Sequence, residues 1–418
     1  RRMQGAKFEF GLAAEPLLSE INFTGFFTRI RGTDFAILPS RYVGGGSVDL
    51  INSRWGGLTG NYVNTFDSRQ IGDFDAGIRN PVITLAADIR LKETENYALS
   101  LKGEGGQSAL LEVTNFEDLG VDSTTFESRD NFLEAMVEYA LKPQHLTFSL
   151  GYRVVGPEFF SSAAQSKRVD FDRALAFFPR LGNEQMRRMP TIFDLNRDRA
   201  LYTFALSDVL MPYDARLSNT MPYGRATPNR QGVFATAVYE KPEGPLEAQL
   251  DFARMQELRG QGTLELKSFT LLRAQADFHA HRLLGWDEAL TVTLGYQYEN
   301  TQRGGEPIEQ ISLNSNLIEA GLQVELFPNF DLLFGGRWLV AEGNEYLPDV
   351  VRFNEVRDFP RASTFNEVES MLAAGLRYRF REDIFLSLQW DRFTLERRDD
   401  SGSNYRIDQP FILYNMNF

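Results

Sequence analysis

Three histidines and no cysteine leave this chain few side chains for nucleophilic or metal chemistry, so the first question is whether those few fall at useful spacings. Asp277, His279 and His281 follow one another at two-residue intervals, with Ser268 upstream in the same run and His145 far away. In an extended chain alternate residues share a face, which puts Ser268 on the side opposite Asp277 and His279 and breaks any Ser–His–Asp constellation. The same spacing sets Asp277, His279 and His281 about 6.5 Å apart along one strand, too far for that strand alone to close around a metal ion. The run Asp399, Asp400, Ser401, Gly402, Ser403, Asn404 collects oxygen donors without the spacing of a calcium loop and reads as an acidic turn. No catalytic residue, metal site or cofactor is assigned, and the chain is not expected to be an enzyme.

What recurs instead is a charged residue at every second position with an apolar residue between. Glu247, Gln249 and Asp251 alternate with Leu246, Ala248, Leu250 and Phe252. Glu265, Lys267, Arg273, Gln275, Asp277, His279 and His281 alternate with Leu264, Leu266, Leu272, Ala274, Ala276 and Phe278, and Arg377, Arg379 and Arg381 with Leu376, Tyr378 and Phe380. Arg90 and Arg153 close two earlier runs of the same kind, and Arg337 lies in another. A period of two is the signature of a strand with one apolar and one polar face. A charged side chain facing hydrocarbon costs about 2–4 kcal/mol near the midplane of a bilayer, so the ionic faces must line an interior. The candidate lining residues are therefore Arg90, Arg153, Glu247, Asp251, Glu265, Lys267, Arg273, Asp277, His279, Arg337, Arg377 and Arg379.

The elements that carry these faces come in pairs joined by tight turns, at 142–145, 241–245, 284–288, 327–331 and 381–384. Between the pairs lie longer polar connections, near 67–80, 115–128, 157–230, 301–309, 341–363 and 398–404. Two strands are expected at the start, over 6–14 and 21–31, and two more near 48–51 and 58–65. Runs such as Thr263–His281 and Glu367–Arg381 exceed the strands of a soluble sandwich, and no fixed-length repeat suggests a solenoid. The count is about 17, within a range of 16–18, and an even-numbered barrel would want one strand more before Arg1. No run approaches the 18 to 20 apolar residues of a membrane-spanning helix.

The last eight residues, FILYNMNF, set Ile412, Tyr414, Met416 and Phe418 against Leu413, Asn415 and Asn417. This resembles the closing strand of bacterial outer-membrane β-barrel proteins, where a terminal Phe preceded by alternating hydrophobic residues is the assembly signal. The resemblance implies an all-β fold, a single domain over 1–418 forming a transmembrane antiparallel β-barrel in the bacterial outer membrane, in contact with outer-membrane lipid and lipopolysaccharide. Short turns would then be periplasmic and long loops extracellular. Trp286, Tyr239 and Phe327 read as parts of an interfacial aromatic belt. A net charge of −13 excludes nucleic acid as a partner. The chain begins at Arg1 without a leader, so targeting is not read from it.

One connection stands apart. Segment 157–230 carries 11 Lys and Arg against 8 Asp and Glu, a basic insert in an acidic chain. Arg168, Arg173, Arg180, Arg187, Arg188, Arg197 and Arg199 sit among Phe171, Phe177, Phe178, Phe193 and Tyr202, with short helices expected over Asp172–Phe178 and Asp194–Leu206. Folded into or over the barrel, this extracellular insert would set guanidinium groups against an acidic wall and narrow the passage. It also holds MPYDARLSNT followed by MPYGRATPNR, read either as a duplication in coil or as two turns presenting an aromatic and a cation. Two functions follow: a porin-like channel for passive passage of small hydrophilic or ionic solutes, or a plugged barrel that anchors a partner protein in a cell-surface complex. Homo-oligomerisation is compatible with either.

Overall fold

The computed structural model describes residues 4–15, 18–31, 40–68, 75–116, 121–162, 164, 215–347, 361–381, 384–399 and 401–416. Seventeen strands account for most of them: β1 (Gln4–Ala13), β2 (Glu20–Arg31), β3 (Arg41–Asn52), β4 (Gly56–Asp67), β5 (Asp75–Glu93), β6 (Tyr97–Phe116), β7 (Val121–Leu141), β8 (Leu146–Val155) and β9 (Arg230–Glu240) precede β10 (Leu246–Gln256), β11 (Ser268–His279), β12 (Leu290–Arg303), β13 (Ile311–Phe327), β14 (Phe330–Leu347), β15 (Arg361–Arg381), β16 (Ile384–Arg397) and β17 (Tyr405–Met416). Each pairs antiparallel with the next in sequence, so the molecule is one all-β meander. Most of the short connections gather at one edge of the sheet and most of the long ones at the other, with 117–120 and 280–289 as exceptions. This follows from the pairing, because in a meander every second connection returns to the same edge.

Several boundaries differ from the sequence expectation; β3 begins at Arg41 rather than near 48, and β14 runs to Leu347, into the connection expected from 341. The polar stretch 115–128 is largely strand, since β6 runs to Phe116 and β7 starts at Val121. Its Ser, Thr and Glu residues look like loop by composition but pair in register with β6. The run Thr263–His281 is not one strand. β10 ends at Gln256, a connection over 257–267 follows, and β11 gives way to a short helix, α1 (Ala280–Leu284), ended by Gly285 in the left-handed conformation at φ 67°. Gly262 at φ +73° breaks the extended chain just before Leu264, which is 98% exposed. The Leu264/Leu266 alternation is therefore incidental. β5 starts at Asp75, inside the connection expected over 67–80, and runs through Pro81, where pairing with β6 lapses at Asn80 and Pro81 without a change of register, since proline has no N–H to donate.

The two faces of the sheet invert the order of a water-soluble protein. Leu85, Leu133, Leu150, Leu294, Ile318 and Leu388 stand exposed on one face. The buried side chains of the other include Glu134, Arg153, Lys267, Glu299, Asp331 and Glu345. That second face is concave. Lys267, the residue just before β11, places Nζ 2.8 Å from Glu345 Oε1 on β14, although β12 and β13 lie between. A one-layer sheet buries Asp331 and Glu345 to 0% exposure by curling toward its charged side, with the arms of the insert lying across it. On the convex side Phe8 covers Gly25 of the neighbouring strand so closely that a Cβ there would lie 2.0 Å from the ring.

Candidate functional site

The concave face is crossed by both described ends of the long insert. After β8 the chain turns at Gly156 and runs back over four strands. Glu158 N–H donates to Asp130 Oδ2 at 2.8 Å, Phe160 N–H to Ser108 Oγ at 3.1 Å, and Ser162 Oγ to Thr65 Oγ1 at 2.8 Å. Asn80, only 1% exposed, donates to the Phe160 carbonyl and accepts from Ser162 N–H. Phe160 packs with Ile78 and Leu110, so apolar and polar contacts fasten this arm together.

The returning arm, 215–229, forms a strap across the opposite half. Arg216 binds Glu367 and, at 3.6 Å, Glu369 on β15. Leu217 packs on Leu317 and Leu339, and its carbonyl accepts from Gln297 Nε2 at 2.6 Å. Glu299 Oε2 receives the Asn219 and Thr220 amides at 2.8 and 3.0 Å and the Thr220 hydroxyl at 3.1 Å. Asn219 Nδ2 spans from Thr301 on β12 to Glu345 on β14. Beyond it, Arg225 reaches Glu134 on β7, which also binds Arg153. The two arginines that follow the Met-Pro-Tyr repeats thus tie one segment to β15 and to β7. The first Met-Pro-Tyr itself lies outside the described residues.

Ion pairs fill much of the remaining face. Arg337 lies 3.0 Å from Glu369 and 4.0 Å from Glu319, Arg377 2.7 Å from Asp331, and Arg379 2.7 Å from Glu325 and 3.2 Å from Asp331. Arg41 and Asp67 make a two-toothed pair at 2.7 and 2.8 Å. Such pairs are charge-assisted and mutually oriented, which makes the wall rigid as well as polar.

Of the residues singled out from sequence, Arg153, Lys267, Arg273, Asp251, Arg337, Arg377 and Arg379 share this concave face. Asp277 accepts from Thr293 Oγ1 at 2.6 Å, and His279 stands between Thr291 at 3.2 Å and Glu247 at 3.3 Å. His281 lies on α1, so the three do not form the single row that two-residue spacing implied. Arg90 sits at the short-turn edge, 3.0 Å from Glu93. Glu265 is exposed in the connection before β11 rather than on a strand. Near it, Glu309 is held below the usual carboxylate range by a hydrogen bond from the Thr263 side chain and then by the Glu306 amide, which joins two rim loops. Arg168, Arg173, Arg180, Arg187, Arg188, Arg197 and Arg199 lie outside the described residues. The acidic partners Glu134, Glu299, Glu345, Glu367 and Glu369 were not singled out. Their alternation was visible, but nothing local says which of them the insert will meet.

Gly151 makes one of these contacts possible. A Cβ there would lie 2.4 Å from the Phe234 ring and 2.8 Å from the Ala135 carbonyl, and Phe234 in turn lies under the Arg153 guanidinium at 4.6 Å. Gly151→Val is expected to displace Phe234 and cost about 1–3 kcal/mol, read as a lower midpoint of urea unfolding in lipid vesicles. An unchanged midpoint would show that the ring is free to move. No family model matches the chain, and no curated protein resembles it to a significant degree.

Proposed function

We propose that the chain is a transmembrane β-barrel of the bacterial outer membrane that passes small hydrophilic solutes through a charge-lined interior narrowed by the insert. One observation carries this reading: large apolar side chains cover the convex face while charged ones are buried on the concave face. Water would reverse that order, and hydrocarbon outside with a polar interior accounts for it. Strands of 10 to 21 residues suffice for a tilted crossing of about 9–11 residues, and the longest, β7 and β15, extend well past it. In a meander β1 and β17 run the same way, so the barrel closes either through a parallel β1–β17 seam or through one additional antiparallel strand. For this strand number side chains alone do not fill the interior, which leaves room for a passage beside the strap.

The convex face supplies a direct check. Ile318, mid-strand on β13 and 52% exposed, would face hydrocarbon. Ile318→Arg is expected to destabilise the protein by about 2–4 kcal/mol in lipid vesicles, while a cost near zero would place that face in water.

The function is tested by single-channel recording in a planar bilayer, with a companion variant in which 165–214 is replaced by a short Gly-Ser linker and both anchored arms are kept. Steady current through the intact protein, enlarged in the variant, is expected. Silence in the intact protein with large current in the variant would favour the second reading, a closed barrel that anchors a partner protein. That reading draws on the dense ion pairing and on Asn219 and Thr220 of the strap being 1% exposed against the wall. Silence in both would end the channel reading.

A further inference from the structure

Asp251 on β10 and Arg273 on β11 stand directly opposite each other in register. Opposed residues of an antiparallel pair have Cβ atoms about 5 Å apart, and unlike charges there ordinarily close on each other. These two do not. Asp251 accepts from Thr236 Oγ1 at 3.0 Å and from Gln249 Nε2 at 3.0 and 2.9 Å, on one side. Arg273 turns to the other side, where Nε donates to Gln297 Oε1 at 2.9 Å. Among the described residues, no carboxylate lies within ion-pair distance of Arg273, and its two terminal nitrogens donate no hydrogen bond. By contrast Arg153, Arg216, Arg225, Arg337, Arg377 and Arg379 each hold a carboxylate.

A cavity of about 400 Å³ lies under the strap and reaches both members of this parted pair. Ser218, Met221 and Phe234 line it, and Arg153 and Arg225 approach from the side of Glu134. Within that lining stand three cations, Arg153, Arg225 and Arg273, against two carboxylates, Glu134 and Asp251. Glu134 is engaged by Arg153 and Arg225, so the Arg273 fork, which acts on Glu299 only at longer range, is the cation of this lining with no carboxylate in ion-pair contact.

We infer that this cavity binds a small polyhydroxylated monoanion of the sugar-acid class, its carboxylate held two-toothed by the Arg273 terminal nitrogens and its hydroxyls by Asp251, Gln249 and Thr236. The planar guanidinium matches a carboxylate, and a hydroxyl donates to Asp251 without the desolvation that bringing a second ion would require. A volume of this size is in the range of small-molecule sites and admits a six-carbon acid with room for water. The net positive lining disfavours a cationic solute, and the retained carboxylate distinguishes the site from a bare anion trap. The site sits inside the passage proposed above and rests on that reading for its purpose, although binding itself does not require transport.

The test is isothermal titration of the purified full-length chain in non-ionic detergent with gluconate, glucose and glycine as probes, run beside planar-bilayer recording with gluconate added to a chloride electrolyte. Gluconate is expected to bind, with glucose and glycine at least roughly tenfold weaker, and Arg273→Gln is expected to weaken gluconate by a similar factor. Arg273→Lys keeps the charge but loses the fork and should also bind roughly tenfold more weakly, which keeps the test alive should the Gln variant not fold. Gluconate affinity unchanged in a folded Arg273 variant, or glycine or glucose binding as well as gluconate, would overturn the proposal. Binding lost in the variants with no current in any bilayer would leave the site standing and remove the channel. Current with no gluconate binding would do the reverse.

Discussion

Replacing Glu299 by alanine is expected to release the strap from the wall. One oxygen of this carboxylate receives three donors from Asn219 and Thr220, and the other receives Gln297 Nε2 at 2.7 Å. Removing it leaves two backbone N–H groups and a hydroxyl without an acceptor in a place where Asn219 and Thr220 are 1% exposed. A hydrogen bond to a charged group contributes about 1.5–3 kcal/mol, and an orphaned buried donor costs a similar amount, so local opening should become easier by roughly 3–5 kcal/mol. Amide hydrogen exchange at Asn219 and Thr220 should accelerate by about a hundredfold or more while the exchange of β12 amides changes little. Glu299→Gln retains one acceptor oxygen and should lie between the two. Unaltered exchange in the alanine variant would mean that Arg216 and Arg225, not the central carboxylate, hold the strap.

The second large effect is expected at the buried pair Lys267 and Glu345, whose side chains are 5% and 0% exposed. Lys267→Met removes the cation and, among the described residues, leaves Glu345 with the Asn219 side chain and the Tyr346 amide as donors. Breaking one side of such a pair costs about 3–5 kcal/mol, because a carboxylate remains buried without its counter-charge. Replacing both partners, as Lys267→Met with Glu345→Leu, removes the orphaned charge and should recover most of that loss. The midpoint of urea unfolding in vesicles reads both variants. A double variant as unstable as the single one would show that Glu345 matters for anchoring Asn219 rather than for neutralising Lys267.

Arg216 and Arg225 illustrate how far local sequence reasoning reaches. The Met-Pro-Tyr repeat marks both arginines, but a repeat in coil says nothing about what each will touch. One finds Glu367, 151 residues away, and the other Glu134, 91 residues away. The connection 257–267 shows the opposite failure. Leu264 and Leu266 keep a period of two where the chain has already left the sheet, because alternation is a property of composition and persists through any coil that happens to supply it. Across 115–128 polar composition mimicked a loop in residues that are largely paired strand, because backbone pairing with a neighbouring strand does not require an apolar face.

The sequence by itself determined the all-β class, a strand count near seventeen, the division of each strand into an apolar and a charged face, and the alternation of short and long connections. These are local: a strand's side chains alternate whatever its neighbours are, and a two-residue turn needs only its own residues. Only the tertiary structure decided that the wall charges are mostly spoken for, that the insert's arms lie on the concave face, and that Asp251 and Arg273 face each other without meeting. Those depend on the curl of the sheet, which brings Lys267 to Glu345 across two intervening strands and 78 residues of chain. An ion pair forms between whichever charges the backbone brings within reach, and no period in the sequence encodes that distance.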